Sequence, residues 1–346
     1  MMRNLENYQE DLDFVRSGLD LTPLVQKRIF LTGVTGMIVS TVADMLLRAN
    51  MVQRLGMELY FAGRSKERVA NRFPSCKEGH EYHFVQYDAL RPFPGNLPAM
   101  DFIIHGAGNA DPRHYDAEPV ETMMANLDGL HHILQSACRM ESKRVLYISS
   151  GEVYGNREST APFSEQDLGS IDILNPRSCY PSAKRTAETL CAAYAKECDV
   201  DTVIVRPCHI YGPSIMATDS RASAQFTRST ARHEDIVMKS DGQTLRSYCY
   251  TLDCATAILT VLQKGTRGEA YNIASHKPVT IRQLAGAFAE AGGSKLRFEH
   301  PSDREKKSYN MMRHSVLDAQ KLEALGWKEH FPFPIGVKKT LAYFAE

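Results

Sequence analysis

The 346 residues are 43% hydrophobic and 24% charged, an ordinary soluble composition long enough for one large domain with a lobe or for two domains. Lysine plus arginine balances aspartate plus glutamate at 41 each, which removes the electrostatic case for a nucleic acid or an acidic membrane surface. No apolar run approaches membrane-spanning length, and Met1-Met2-Arg3-Asn4-Leu5-Glu6 lacks the apolar core of a secretory signal. The eight cysteines are scattered, with no C-x-x-C, so reduced thiols in a cytoplasm are expected rather than disulfides or a metal site.

Residues 1–27 are polar and weakly amphipathic and predict a short helical extension. Arg28 to Leu31 is an apolar run that ends in Thr32-Gly33-Val34-Thr35-Gly36-Met37-Ile38-Val39, and an apolar helix pattern follows to about Ala49. This is strand, glycine turn, helix. Further strands are predicted at Glu58–Ala62, Tyr82–Gln86, Asp101–His105, Lys143–Ser149 and Asp201–Arg206, with long helices at 119–140 and 178–198. Strands alternating with helices imply an α/β fold, a doubly wound parallel sheet of Rossmann type, over residues 28–207. After Pro207 the alternation fails. Cys208–Asp219 reads as loop, followed by a helix at 220–232, short strands at Ile236–Met238 and Leu245–Thr251, and helices at 253–264, 280–291 and 334–345. Residues 208–346 are therefore expected to form a smaller mixed substrate lobe, with segments returning to the first domain.

Ligands in parallel sheets bind beyond the carboxyl ends of the strands, where Gly33, Ala107, Ser150 and Pro207 fall. Gly33 and Gly36 turn the chain so that amides at a helix N-terminus can approach a pyrophosphate. Thr35, Met37 and Ile38 belong to the same turn, and Asp88 and Ala89 follow the third strand; all are candidate cofactor contacts. The third glycine of the fingerprint is absent, and Val39 is expected to push its helix outward slightly. The second strand ends Phe61-Ala62-Gly63-Arg64-Ser65, without the acid that takes a ribose 2′-hydroxyl. Arg64 with Ser65 could instead accept a 2′-phosphate, so NAD and NADP both stand.

The stretch from Ser149 to Lys184 carries the chemistry. Tyr180 and Lys184 share one helix face, and an ammonium beside a phenol lowers a pKa that starts near ~10. Ser150, on a strand end, can hydrogen-bond the same substrate oxygen. Such a set takes a proton from an alcohol while a cofactor takes its hydride; a surface Tyr–Lys pair is the plain alternative.

Four pieces together resemble the extended short-chain dehydrogenases/reductases that modify nucleotide sugars. They are Thr32-Gly-x-x-Gly36, Ser149-Ser150-x-Glu152-Val153-Tyr154-Gly155, Tyr180-x-x-x-Lys184 and Arg206-Pro207-x-x-x-Tyr211-Gly212-Pro213. Within that family the likeness is to UDP-glucuronate decarboxylases. It rests on Pro176-Arg-Ser-Cys-Tyr180, on Asp219-Ser-Arg221-Ala-Ser223-Ala-Gln-Phe226 and on Arg246-Ser-Tyr-Cys-Tyr250-x-x-Asp253. The resemblance implies that Tyr180 is the base, Lys184 its partner and ribose contact, Ser150 the second hydroxyl, and Arg221 and Arg246 the diphosphate contacts. It also implies a homodimer through the 119–140 and 178–198 helices.

This chain departs from the family at three places. His209 stands where the family usually has asparagine. Gly151 stands where dehydratases carry an aspartic acid and many decarboxylases a serine. The acid at the end of the second strand is missing. A dehydratase needs an acid to expel the 6-hydroxyl, which Gly151 cannot be, although Glu152 could be the base at C5. A decarboxylase needs none, because a 4-ketone is the electron sink for the leaving CO2. Glu152 with Gly151 thus fits decarboxylation best, 4-epimerisation next and 4,6-dehydration least, with Glu152 as a purely structural carboxylate also possible. Arg64 and Ser65 motivate an NADPH-dependent keto-sugar reductase. Val39 and His209 motivate a non-catalytic binding protein, against which the presence of Ser150, Tyr180 and Lys184 weighs.

Overall fold

The computed structural model describes residues 5–108, 110–216, 218–300 and 314–344; residues 1–4 of the expected extension and residue 345 of the expected last helix lie outside them. Helix α1 (Leu5–Arg16) turns Tyr8, Leu12 and Val15 inward at the i, i+4, i+7 spacing of one helical face. Then come β1 (Arg28–Thr32), α2 (Met37–Gln53), β2 (Glu58–Gly63), α3 (Lys66–Arg72), β3 (His83–Gln86), β4 (Phe102–His105), α4 (Pro112–Ala117), α5 (Pro119–Met140) and β5 (Arg144–Ile148). Helix α6 (Cys179–Glu197), β6 (Thr202–Pro207) and β7 (His209–Tyr211) follow. The rest comprises α7 (Ala222–Ala231), β8 (Ile236–Met238), β9 (Leu245–Arg246), β10 (Tyr248–Tyr250), α8 (Thr251–Lys264), β11 (Ala270–Ile273), β12 (Val279–Thr280), α9 (Ile281–Gly292), β13 (Leu296–Phe298), α10 (Gln320–Glu323) and α11 (Ile335–Ala342).

The expected α/β class is the observed one. Seven parallel strands run in the order β11-β6-β5-β4-β1-β2-β3. Period-two alternation divides their side chains between two apolar layers. Ile29, Leu31, Phe61, Ile104, Leu146 and Val205 join the core that contains α2 and α8. Phe30, Tyr60, Ile103, Val145, Tyr147 and Ile204 join the one that contains α5 and α6. Strands β1, β2, β4, β5 and β6 are thus covered on both faces, which is why they read as continuous apolar runs. Helices α7 and α9 pack on each other beside the short pairs β8–β13 and β9–β12.

Two expectations after Pro207 are corrected. The predicted loop at Cys208–Asp219 contains β7, which pairs in parallel with β10. Three residues carry no local pattern; the distant partner makes the strand. The predicted strand Leu245–Thr251 is broken at Ser247, whose amide donates to the Ser315 carbonyl at 2.9 Å and whose Oγ accepts from the Leu317 amide at 3.1 Å. Asp253, buried on α8, accepts from the amides of His330 and Phe331, both at 2.8 Å, and so pins the chain ahead of α11.

Candidate active site

Strand β1 neighbours both β2 and β4, so the crevice where strand order reverses lies at the carboxyl ends of β1 and β4. Gly33 has a φ of 78°, and a Cβ there would stand 2.7 Å from the Gly106 carbonyl oxygen, so no other residue fits. Gly36 is the N-cap of α2 without a side-chain cap, and the first backbone bond onto it comes from Ser40 at 3.0 Å. The amides of that first turn are left for an anion. Val39 is accommodated from across the crevice: a Cβ on Gly106 would lie 2.5 Å from its Cγ2. The small residue missing from the helix is supplied by the strand it packs against. Thr32 Oγ1 accepts from the amides of Gly106 and Ala107, both at 3.1 Å, and fixes the two strand ends together. This cradle fits a dinucleotide.

The other cofactor candidates follow the ends of β1 to β4. Thr35 lies in the glycine turn, and Met37 is the first residue of α2, its Sδ 3.8 Å from an Arg221 nitrogen. Arg64 follows β2 and accepts at its carbonyl from Gln86 Nε2 at 3.1 Å. Ser65 caps α3, accepting from the Arg68 amide at 3.2 Å. Asp88 accepts from the Leu90 amide at 3.1 Å, while Ala89 packs against Gly129 of α5.

A cleft beside this crevice brings Ser150, Glu152, Tyr180, Pro207, His209 and Arg221 together, with Ile38 on the cofactor side. Ser150 caps a single 3-10 turn, Gly151–Tyr154, its Oγ accepting from the Glu152 amide at 3.1 Å. That turn aims Glu152 into the cleft, where its carboxylate faces Arg177 at 3.4 Å. Arg221 is gripped by Asp219 through Nε at 3.0 Å and Nη2 at 2.5 Å. Lys184 and Arg246 are buried and do not line the cleft. Arg246 Nη1 donates to His209 Nε2 at 3.1 Å. Burial first, then the charges of Arg246 and Arg221, hold His209 well below its ordinary range, so a neutral imidazole accepts that bond.

The expected acidification of Tyr180 by Lys184 is not found. Burial, reinforced by Glu152, pushes the phenol up to about 12, and the groups that work the other way are Ser150, Arg221 and Tyr115. Lys184 donates to the Ile148 carbonyl at 2.8 Å, stands 5.7 Å from the Tyr180 ring centroid, and is itself lowered by burial to about 7. A lysine spaced one turn from the phenol is therefore partly discharged near neutrality by its own desolvation. This has a measurable sign. At Lys184 the unfolded chain binds more protons than the folded one between about 7 and 10.5, so the contribution of this group to stability rises with pH through that window. Relative to Lys184→Met, the wild-type denaturation midpoint is expected to increase from pH ~7 to ~9; a pH-independent difference contradicts the shift.

Behind the cleft runs a network the sequence did not announce. Ser149 Oγ donates to Glu188 at 2.6 Å, Arg206 forks onto Glu188 at 2.6 and 3.0 Å, and Arg206 also donates to the Tyr154 hydroxyl at 3.0 Å. Two further neighbours were missed. Tyr115 lies on a helix of six residues, too short for a periodic signal. Leu317 fills the space at Gly151, where a Cβ would lie 3.2 Å from its Cδ1.

Residues 29–274 match the NAD dependent epimerase/dehydratase family, and the chain belongs to it. Among named relatives, UDP-glucuronic acid decarboxylase 1 of Xenopus tropicalis is 27% identical over 323 residues, covering 92% of this chain and 72% of that protein. UDP-glucuronic acid decarboxylase 3 of Arabidopsis thaliana is 30% identical over 264 residues, covering 76% of this chain and 74% of that protein. The fold is shared with the UDP-glucose 4-epimerase of Thermotoga maritima, solved with UDP-glucose, at a TM-score of 0.77, 22% identity and coverage of 92% and 98%. It is also shared with a dTDP-glucose 4,6-dehydratase of Streptomyces venezuelae, solved with NAD, at 0.76, 23% identity and coverage of 92% and 96%.

Proposed function

We propose that this chain modifies a nucleotide-diphosphate sugar through a 4-keto intermediate, and that its reaction is decarboxylation of UDP-glucuronate or a close UDP-hexuronate. NAD, held at the Gly33–Gly36 turn, supplies the acceptor and later the donor for the C4 hydride. Tyr180 as phenolate takes the C4 hydroxyl proton, with Ser150 hydrogen-bonded to the same oxygen. The C6 carboxylate is then β to a ketone. The C5–C6 bond breaks, CO2 leaves, and the electron pair enters the enolate of the C4 carbonyl, which Ser150 and Tyr180 hold. Proton addition at C5 and return of hydride and proton to C4 complete a redox-neutral cycle.

The observation that carries this reading is the packing of Leu317 on Gly151. The place where a dehydrating acid would stand is filled by hydrocarbon, while Glu152 remains, its charge balanced by Arg177. A lone carboxylate would repel a uronate; a carboxylate paired with arginine does not. Arg221, which lines the cleft, is assigned to the diphosphate, while Arg246, buried outside the cleft lining, donates to His209 instead of meeting the diphosphate as the resemblance implied. 4-Epimerisation, which needs no acid at position 151, is the second reading. An NADPH-dependent keto-sugar reductase is the third, and the use of Ser65 as a helix cap weakens it.

We place the protein in the cytoplasm as a homodimer. Its eight cysteines are free, and among the described residues no helix is long and apolar enough to cross a membrane. Val120 and Met124 leave α5 with 66% and 40% exposure, an apolar edge suited to a second copy. Incubation with UDP-glucuronate and no added reductant should yield a nucleotide pentose or 4-keto pentose by proton NMR. Neither product, or stoichiometric consumption of NADPH, would remove the decarboxylase reading. Gly33→Val should weaken NAD retention at least ~10-fold by backbone strain alone, read by equilibrium dialysis; unchanged retention would place the cofactor elsewhere.

A further inference from the structure

Tyr115 takes neither proton nor hydride in this reaction, yet it lines the same cleft as the base. It is 2% exposed. Its ring lies parallel to that of Tyr180, with centroids 4.6 Å apart and 13° between planes. The guanidinium carbon of Arg177 stands 4.5 Å from the Tyr115 centroid, and the same guanidinium pairs with Glu152. Cys179, the residue before the base, donates its thiol to the Tyr115 carbonyl at 3.7 Å. Tyr115, Cys179 and Tyr180 form a small apolar cluster of their own, with Met123 against it.

Helix α4 is held in turn by the segment before α7. Asp111 caps it, accepting from the Arg113 amide at 3.0 Å and from Ser220 Oγ at 2.6 Å, and Arg113 reaches the Thr218 carbonyl. The segment that anchors α4 therefore also presents Arg221 to the cleft.

Two parallel phenols turn their negative faces toward each other. Adding a full negative charge to one of them is opposed unless a cation or a hydrogen-bond donor is near; Arg221 works in that direction at Tyr180, whereas the charge of Arg177 is taken up by Glu152.

We propose that Tyr115 is a positioning residue for Tyr180: its ring sets the attitude of the phenol, and its hydroxyl supports the phenolate. This rests on Tyr180 being the base. The Tyr115 hydroxyl works in the same direction, lowering Tyr180. Burial holds Tyr115 itself well above its ordinary range, so it stays a neutral donor.

The test uses the NAD-loaded full chain mixed with UDP-glucuronate, recording NADH absorbance in the first turnover across pH. Tyr115→Phe keeps the stack and loses the hydroxyl, so the midpoint of rate against pH should rise by about one unit with the plateau within ~3-fold. Tyr115→Leu removes the stack, and the rate should fall ~10- to 100-fold with its dependence on substrate concentration unchanged. Thermal melts separate misfolding from mispositioning, and if the leucine variant does not fold, the phenylalanine midpoint decides. Wild-type rate and midpoint in a folded variant overturn the proposal. If the wild type gives no NADH signal, the base reading fails for this substrate, and Tyr115 is decided by near-ultraviolet titration of tyrosinate. There the wild-type minus Tyr180→Phe difference isolates Tyr180; Tyr115→Phe should raise its midpoint, and an unmoved midpoint overturns the proposal.

Discussion

Tyr180→Phe is expected to reduce turnover of UDP-glucuronate by about 10³-fold, within the ~10²–10⁴ that a positioned acid or base contributes. The substitution removes one oxygen and leaves the ring, so the stack on Tyr115 and the start of α6 should persist. The melting temperature should therefore hold while activity falls, and rates of product formation with parallel melts check both. The reacting form is the phenolate, so the wild-type rate should rise with pH, and that limb should vanish in the variant. Activity within tenfold of wild type would move the proton transfer to another group.

The second large effect concerns stability. Glu188 and Arg206 are nearly buried, with side-chain exposures of 12% and 11%, and their charges meet at 2.6 Å. Burial works against the Arg206 charge, and the Glu188 carboxylate more than offsets it, leaving the guanidinium above its ordinary range. Glu188→Ala strands that guanidinium and removes the acceptor of Ser149, so a loss of about 3–5 kcal/mol is expected. Guanidine denaturation midpoints of the two proteins measure it. Glu188→Gln retains an acceptor oxygen and should lose less. An alanine variant as stable as wild type would mean that water already screens the pair.

Six strands of the parallel sheet were legible from their apolar runs and from the helices between them; the seventh, β11, was not, because Ala270-Tyr-Asn-Ile273 is short and becomes a strand only by pairing with β6. Gly33 and Gly36 were legible because a tight turn between strand and helix admits few residues. The gathering of Ser150, Glu152, Tyr180, His209 and Arg221 in one cleft follows from chain order, since they stand after β5, at the start of α6, after β6 and before α7. Effects from across space were hidden. Val39 is explained only by Gly106, Gly151 only by Leu317, and Ser247 only by the segment at Ser315. The spacing of Lys184 from Tyr180 was correctly read as one helix face. Its burial was not, and burial sets the charge of both groups.

Central to the proposed reaction is that oxidation at C4 is followed by loss of C6. UDP-glucuronate carrying carbon-13 at C6 tests it directly when incubated with the NAD-loaded protein and followed by carbon NMR. The label is predicted to leave the nucleotide sugar and appear as carbon dioxide and bicarbonate, with no reductant consumed. Label retained at C6 in a 4-epimeric uronate, or in unchanged substrate, would contradict it.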